Sequence, residues 1–183
     1  HRASRAAGMC GAELETLLEA AYRCAKRVKG ETDVPGRPVS LAAASVEVLA
    51  RMHGDAGSCR ALLSGAGDFG VLIVEAMREA GLRDLSVTHP RPARADMMAR
   101  ALSCHTVDYS SLMTNLQAYD IVIAALGKQD HSITKAMVRQ ALKARRNRPI
   151  LFYDVAIPGD VELGVDSLSD AFVWTLDELE ELA

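Results

Sequence analysis

Gly65, Gly67 and Gly70 stand in G-x-G-x-x-G spacing, within the run Gly65-Ala66-Gly67-Asp68-Phe69-Gly70. Such residues do chemistry by what they omit. The first glycine permits a sharp exit from a strand. The second lets backbone approach a pyrophosphate with no Cβ in the way, and the third lets a helix pack close to a sheet. The N–H groups of the first helical turn, with the helix dipole behind them, then favour an anion. Asp68 suits that dipole but faces the same anion, so its side chain is expected to point away. Alone the spacing is weak, because glycine-rich turns that bind nothing are common. Its flanks strengthen it. Ala61-Leu62-Leu63 is a short apolar run suited to a strand buried on both faces, and Phe69, Leu72, Ile73, Ala76, Met77 and Ala80 follow at helical spacing, with Gly81 placed to end the helix. Strand, turn and helix together make the glycines a dinucleotide fingerprint.

Three further groups fall near the same predicted sheet edge. A site for NAD places Asp or Glu about 20 residues beyond the first glycine, on the ribose 2′-hydroxyl. None stands there. The second strand runs instead into Thr88-His89-Pro90-Arg91-Pro92-Ala93-Arg94, where His89, Arg91 and Arg94 are candidates for a ribose 2′-phosphate. That favours NADPH over NADH; the alternative is two arginines solvated on a helical turn. Ala125-Leu126-Gly127 forms a second small-residue turn, suited to passing beneath a nicotinamide ribose. Asp154 and Ala156, in Asp154-Val155-Ala156-Ile157-Pro158-Gly159-Asp160, follow the fifth predicted strand. Asp154 either shapes the nicotinamide pocket or pins a loop, and the residues do not choose between the two.

Other chemistry is thin. Cys10, Cys24, Cys59 and Cys104 form no C-x-x-C pair and read as small apolar groups, so no metal site and no catalytic residue is expected. The basic run Lys143 to Arg148 reads as a solvated complement to a helix end rather than an RNA contact. His131 reads as a loop histidine.

The elements that must position these residues alternate. Ala12 to Lys29 carries a helical stripe, Gly30 to Pro38 reads as a loop, and Val39 to Ala50 carries a second stripe ending near Gly54. After the fingerprint helix, strands are predicted at Asp84–Thr88, Cys104–Val107, Asp120–Ala125, Pro149–Asp154 and Ala171–Trp174. Helices are predicted at Arg91–Leu102, at Ser110–Gln117, after Thr134 and after Thr175. This predicts an α/β fold, a Rossmann-like doubly wound parallel sheet with an N-terminal helical extension. Residues 1–54 are expected to be a helical linker segment and 55–183 the NADP-binding domain. At 183 residues and net charge −3, one main domain fits and no basic field demands nucleic acid. With no membrane-length apolar run and no leader-like segment, a cytoplasmic protein with no membrane partner is expected.

In chain order, Cys24-Ala25-Lys26-Arg27-Val28-Lys29-Gly30-Glu31-Thr32, Val39-Ser40-Leu41-Ala42-Ala43-Ala44, the glycine run, Gly127 with His131-Ser132-Ile133-Thr134-Lys135, and Asp154-Val155-Ala156-Ile157-Pro158 resemble glutamyl-tRNA reductase. The resemblance covers that family's connecting helix and NADPH-binding domain, from about Gly11 onward. It implies a hydride-donor domain in the reduction of glutamyl-tRNA to glutamate-1-semialdehyde, which opens tetrapyrrole and haem synthesis. It also implies partners: glutamyl-tRNA, and the amino-terminal catalytic and carboxyl-terminal dimerisation domains of the same polypeptide. The family's Ser-Thr-Cys-Asn-Arg type segment does not occur here, so this chain alone is expected to be inactive. Asn-Arg-Thr becomes His89-Pro90-Arg91, and the Arg of Pro-Arg-Asp becomes Gly159. Two alternatives stand beside this reading: a non-catalytic nucleotide-binding module, and another small Rossmann dehydrogenase, such as one acting on shikimate.

Overall fold

The computed structural model describes residues 11–31, 37–127 and 131–183. They fall into two compact units, one ending at Pro38 and one running from Val39 to Ala183. The first holds helix α1 (Ala12–Glu31). It continues through Gly30, where the sequence predicts a loop; the rest of that predicted loop up to Gly36 lies outside the described residues, and Arg37 already opens the next helix. Cys10 also lies outside them.

The second unit is a parallel sheet in the order β3-β2-β1-β4-β5-β6. Its strands are β1 (Arg60–Gly65), β2 (Asp84–Thr88), β3 (His105–Thr106), β4 (Ile121–Ala125), β5 (Ile150–Asp154) and β6 (Ala171–Thr175). The helices are α2 (Arg37–His53), α3 (Asp68–Glu79), α4 (Pro92–Ala101), α5 (Leu112–Asn115), α6 (Lys135–Ala144) and α7 (Leu176–Leu182). Leaving β1, the chain adds strands first to one side and then to the other. This reversal opens a crevice between the carboxyl ends of β1 and β4.

Strand periodicity divides the core. Leu63, Val87, Ile123, Leu151 and Tyr153 join one buried cluster with Leu41, Val48 and Leu49 of α2 and Ile73, Val74 and Met77 of α3. Leu62, Val122, Ala124, Ile150 and Phe152 join the other with Met137, Val138, Ala141 and Leu142 of α6. Adjacent residues thus serve opposite faces, and the continuous apolar run of β4 is what a strand covered on both sides requires. Tyr153 reaches through the first cluster to donate to the Ser45 carbonyl at 2.6 Å, tying α2 to β5.

Two predicted elements differ. On α3 the buried residues are Gly70, Ile73, Val74 and Met77, while Ala80 is exposed. The face is rotated toward Val74, because the close approach of Gly70 sets which side meets the sheet. The helix predicted over Ser110–Gln117 is a 3-10 turn at Tyr109–Ser111, then α5, then a second 3-10 turn at Leu116–Ala118. Asp108 starts this series by accepting from the Ser110 N–H.

Candidate dinucleotide site

The crevice is built where β1 and β4 end side by side, with Gly65 paired to Ala125. Gly65 has φ +119°, and a Cβ there would lie 2.3 Å from the Ala125 carbonyl oxygen. Gly67 donates its N–H to that same oxygen at 3.2 Å, and a Cβ on it would stand 3.1 Å away. On Gly70 a Cβ would meet the Ala125 Cβ at 2.7 Å and Leu63 Cδ1 at 2.9 Å. Gly65 and Gly70 are therefore required by one neighbour, Ala125, which Gly67 also approaches closely.

Gly67 is the N-cap of α3 and offers no side-chain cap. The first helical bond runs from the Val71 N–H to the Gly67 carbonyl, at 3.2 Å. The N–H groups of Asp68, Phe69 and Gly70 precede it and have no helical acceptor, which leaves them for an anion at the positive end of the dipole. Asp68 is exposed and Ala66 and Phe69 are half-buried.

A cleft of about 300 Å³ lies at the carboxyl ends of β2 and β3. His89, Pro90, Pro92, Ala95, Val107 and Tyr109 line it, with Asp96 and Asp108 beside them. His89 is buried, and its Nδ1 accepts the Arg91 N–H at 2.9 Å, which fixes the turn entering α4. Arg91 is the N-cap of α4, and both Arg91 and Arg94 are exposed. These three residues and the glycine turn sit at neighbouring strand ends, on one edge of the sheet.

Asp154 pins a loop. Its carboxylate accepts from the N–H groups of Asp160 (3.0 Å), Val161 (2.9 Å) and Ala156 (3.4 Å). Burial pushes its carboxyl above the ordinary range, and those three donors offset part of that rise. A Cβ on Gly159 would approach Asp154 Oδ2 to 2.8 Å, so glycine fits tightly under this carboxylate. Asp154 also borders a second cleft, of about 350 Å³, with His131, Val161, Leu163 and Val173. His131 Nδ1 lies 3.2 Å from the Gly159 carbonyl.

Two residues escaped sequence reasoning. Asp160 is fully buried, and its Oδ2 accepts from the N–H of Leu126 at 2.6 Å and of Gly127 at 3.3 Å. It thereby fastens the second small-residue turn. An acid directly after Pro-Gly, where acids usually sit exposed, gave no local signal of this. Arg145, read as one of a solvated basic run, is buried at the other end of the sheet. Two of the thiols are unsuited to nucleophilic work: burial pushes Cys59 and Cys104 up. Among the described residues no cluster of His, Cys, Asp and Glu could hold a metal, and no helix is long and apolar enough to cross a membrane.

A family model described as Shikimate / quinate 5-dehydrogenase matches residues 47–182. The chain belongs to that family. Within it, the sequence likeness is to glutamyl-tRNA reductases: the enzyme of that name from Rhodospirillum rubrum is 39% identical over 183 residues, all of this chain and 42% of the relative. The solved glutamyl-tRNA reductase of Methanopyrus kandleri is 32% identical, with a TM-score of 0.75 over 96% of this chain and 44% of that one. The nucleotide binding domain of the Thermoplasma volcanium enzyme, 16% identical, shares the fold, with a TM-score of 0.60 over 78% of this chain and 89% of that one. The chain thus spans about two fifths of the length of the curated relatives it matches.

Proposed function

We propose that this chain is the NADPH-binding, hydride-donor part of a glutamyl-tRNA reductase. The observation that carries the reading is the turn Gly65 to Gly70: three N–H groups with no helical acceptor stand at a helix start where Gly65 and Gly70 have no room for a Cβ and Gly67 little. A pyrophosphate fits that surface. Bound there, NADPH supplies a hydride for reduction of an activated acyl group. The backbone of Asp68, Phe69 and Gly70 would hold the pyrophosphate. His89, Arg91 and Arg94 would receive the adenosine ribose and its 2′-phosphate, with the cleft beside them for the base. Ala125, Leu126 and Gly127 would underlie the nicotinamide ribose, and Asp154 and Ala156 would keep the β5 loop closed beside it. Glutamyl-tRNA and the relatives' other domains are the partners this reading requires, since the relatives are more than twice this chain's length. The setting would be the cytoplasm.

The preference for the phosphorylated cofactor rests on the absence of an acid at the end of β2 and on the two exposed arginines. Titration with NADPH and NADH tests both parts. Saturable NADPH binding is expected, at about tenfold tighter than NADH, and the preference should vanish in the double variant Arg91→Ala, Arg94→Ala. A folded sample that binds neither cofactor removes the reading. Equal affinities remove the 2′-phosphate assignment alone.

A further inference from the structure

Asp160 governs the peptide planes that face the glycine turn. One carboxylate oxygen takes both the Leu126 and the Gly127 N–H. Because a trans peptide points its C=O opposite to its N–H, each of these bonds also aims a carbonyl. With the Leu126 N–H on Asp160, the Ala125 carbonyl faces the other way and receives Gly67. With the Gly127 N–H on Asp160, the Leu126 carbonyl is likewise directed away from the carboxylate. Gly127 turns back at φ +67°, with room for a Cβ only 3.0 Å from the Ile157 carbonyl oxygen. The acid is itself held: its N–H goes to Asp154, and its carbonyl takes the Ile133 N–H at 3.1 Å. A fully buried carboxylate that joins three loops is an expensive way merely to close one of them.

We infer that Asp160 is the positioning residue for the nicotinamide half of the cofactor, presenting the Leu126 carbonyl as a fixed acceptor for a ribose hydroxyl. The inference rests on the proposed NADPH reading and deepens it. Asp160 is not a catalytic residue, since it acts through the 126–127 backbone. Replacing it by asparagine keeps the size and one carbonyl acceptor but removes the charge that draws two N–H groups together.

The experiment compares two ligands on wild type and Asp160→Asn. NADPH spans both halves of the site; adenosine 2′-phosphate carries only the half on the β2 side. Asp160→Asn is expected to weaken NADPH about tenfold and leave adenosine 2′-phosphate within about twofold. A loss shared equally by both ligands, or no loss of either, overturns the inference. Failure of wild type to bind NADPH would instead overturn the cofactor reading beneath it. Should the variant fold poorly, amide exchange in wild type decides: Leu126 and Gly127 should both be protected, although Gly127 is exposed. Exchange of the Gly127 amide at the free-peptide rate would sink the proposal.

Discussion

Arg145, at the C-cap of α6, donates to Asp120, just before β4, across 2.6 Å, with side-chain exposures of 2% and 16%. The guanidinium also donates to the carbonyls of Gln117, Tyr119, Arg148 and Pro149, so all of its fork is used. Lysine has three donors on one nitrogen and cannot span these directions. Arg145→Lys should therefore destabilise the chain by about 2 kcal/mol, the scale for leaving a buried acceptor without its donor. Denaturant unfolding measures it; a loss within about 0.5 kcal/mol, typical of a surface change, would mean the fork is not needed.

The same corner predicts an acid-sensitive fold. Burial lowers the His53 pKa from 6.5, with nearby Arg145 adding to the effect against an opposing Asp120. For Asp120, burial alone would raise the carboxyl, but donation from Arg145 and from the Arg60 N–H holds it below 3.8. Both groups take up protons more readily unfolded than folded, so their contributions are present above the unfolded values and are lost as pH falls. Asp154, pushed up, acts in the opposite sense: its contribution is present in acid and is lost as pH rises through its raised value. Unfolding free energy should decline once pH drops below about 6.5, and His53→Gln should flatten that first part of the decline. An unchanged slope in the variant would exclude His53 as its source.

The glycines separate stability from binding. Gly65→Ala forces a Cβ against a carbonyl at a left-handed φ and should cost about 3 kcal/mol. Gly67 sits at φ −72° with its N-cap role intact, so Gly67→Val should cost only about 1 kcal/mol while its bulk blocks NADPH. Thermal melts beside cofactor titrations check both. NADPH affinity preserved in folded Gly67→Val would remove the pyrophosphate from this turn.

Turnover should need more than this chain. Reduction of an acyl group through a thioester requires an accessible thiolate. Cys59 is buried, Cys104 is half-buried and pushed up, and Cys24 stands exposed on α1. With glutamyl-tRNA and NADPH, no semialdehyde is expected from the 183 residues alone. Formation of product that stops in a single Cys→Ser variant would identify a nucleophile and reverse this.

How much of this was legible depended on range. β2 could be bounded to the residue, and the stripe Met137, Val138, Ala141, Leu142 with its Thr134 cap was fully readable, because period and capping are local properties. The glycine turn was legible for the same reason. Asp160 and Arg145 were not, because their partners lie 34 and 25 residues away and both types are normally solvated. Asp154 was half legible: its place at a strand end could be read, but not that its oxygens would be spent on the backbone of 156–161.

Position 125 adds a constraint on how this sequence can drift. The methyl of Ala125 and the vacant site on Gly70 share one small volume, with only 2.7 Å between the existing carbon and an added one. Gly70 cannot gain a side chain while Ala125 keeps its place, so a lineage that enlarged position 70 would first have to move α3 away from β4. The six-letter glycine signature thus has a seventh letter 55 residues beyond its last glycine, one that a search for adjacent glycines alone never weighs.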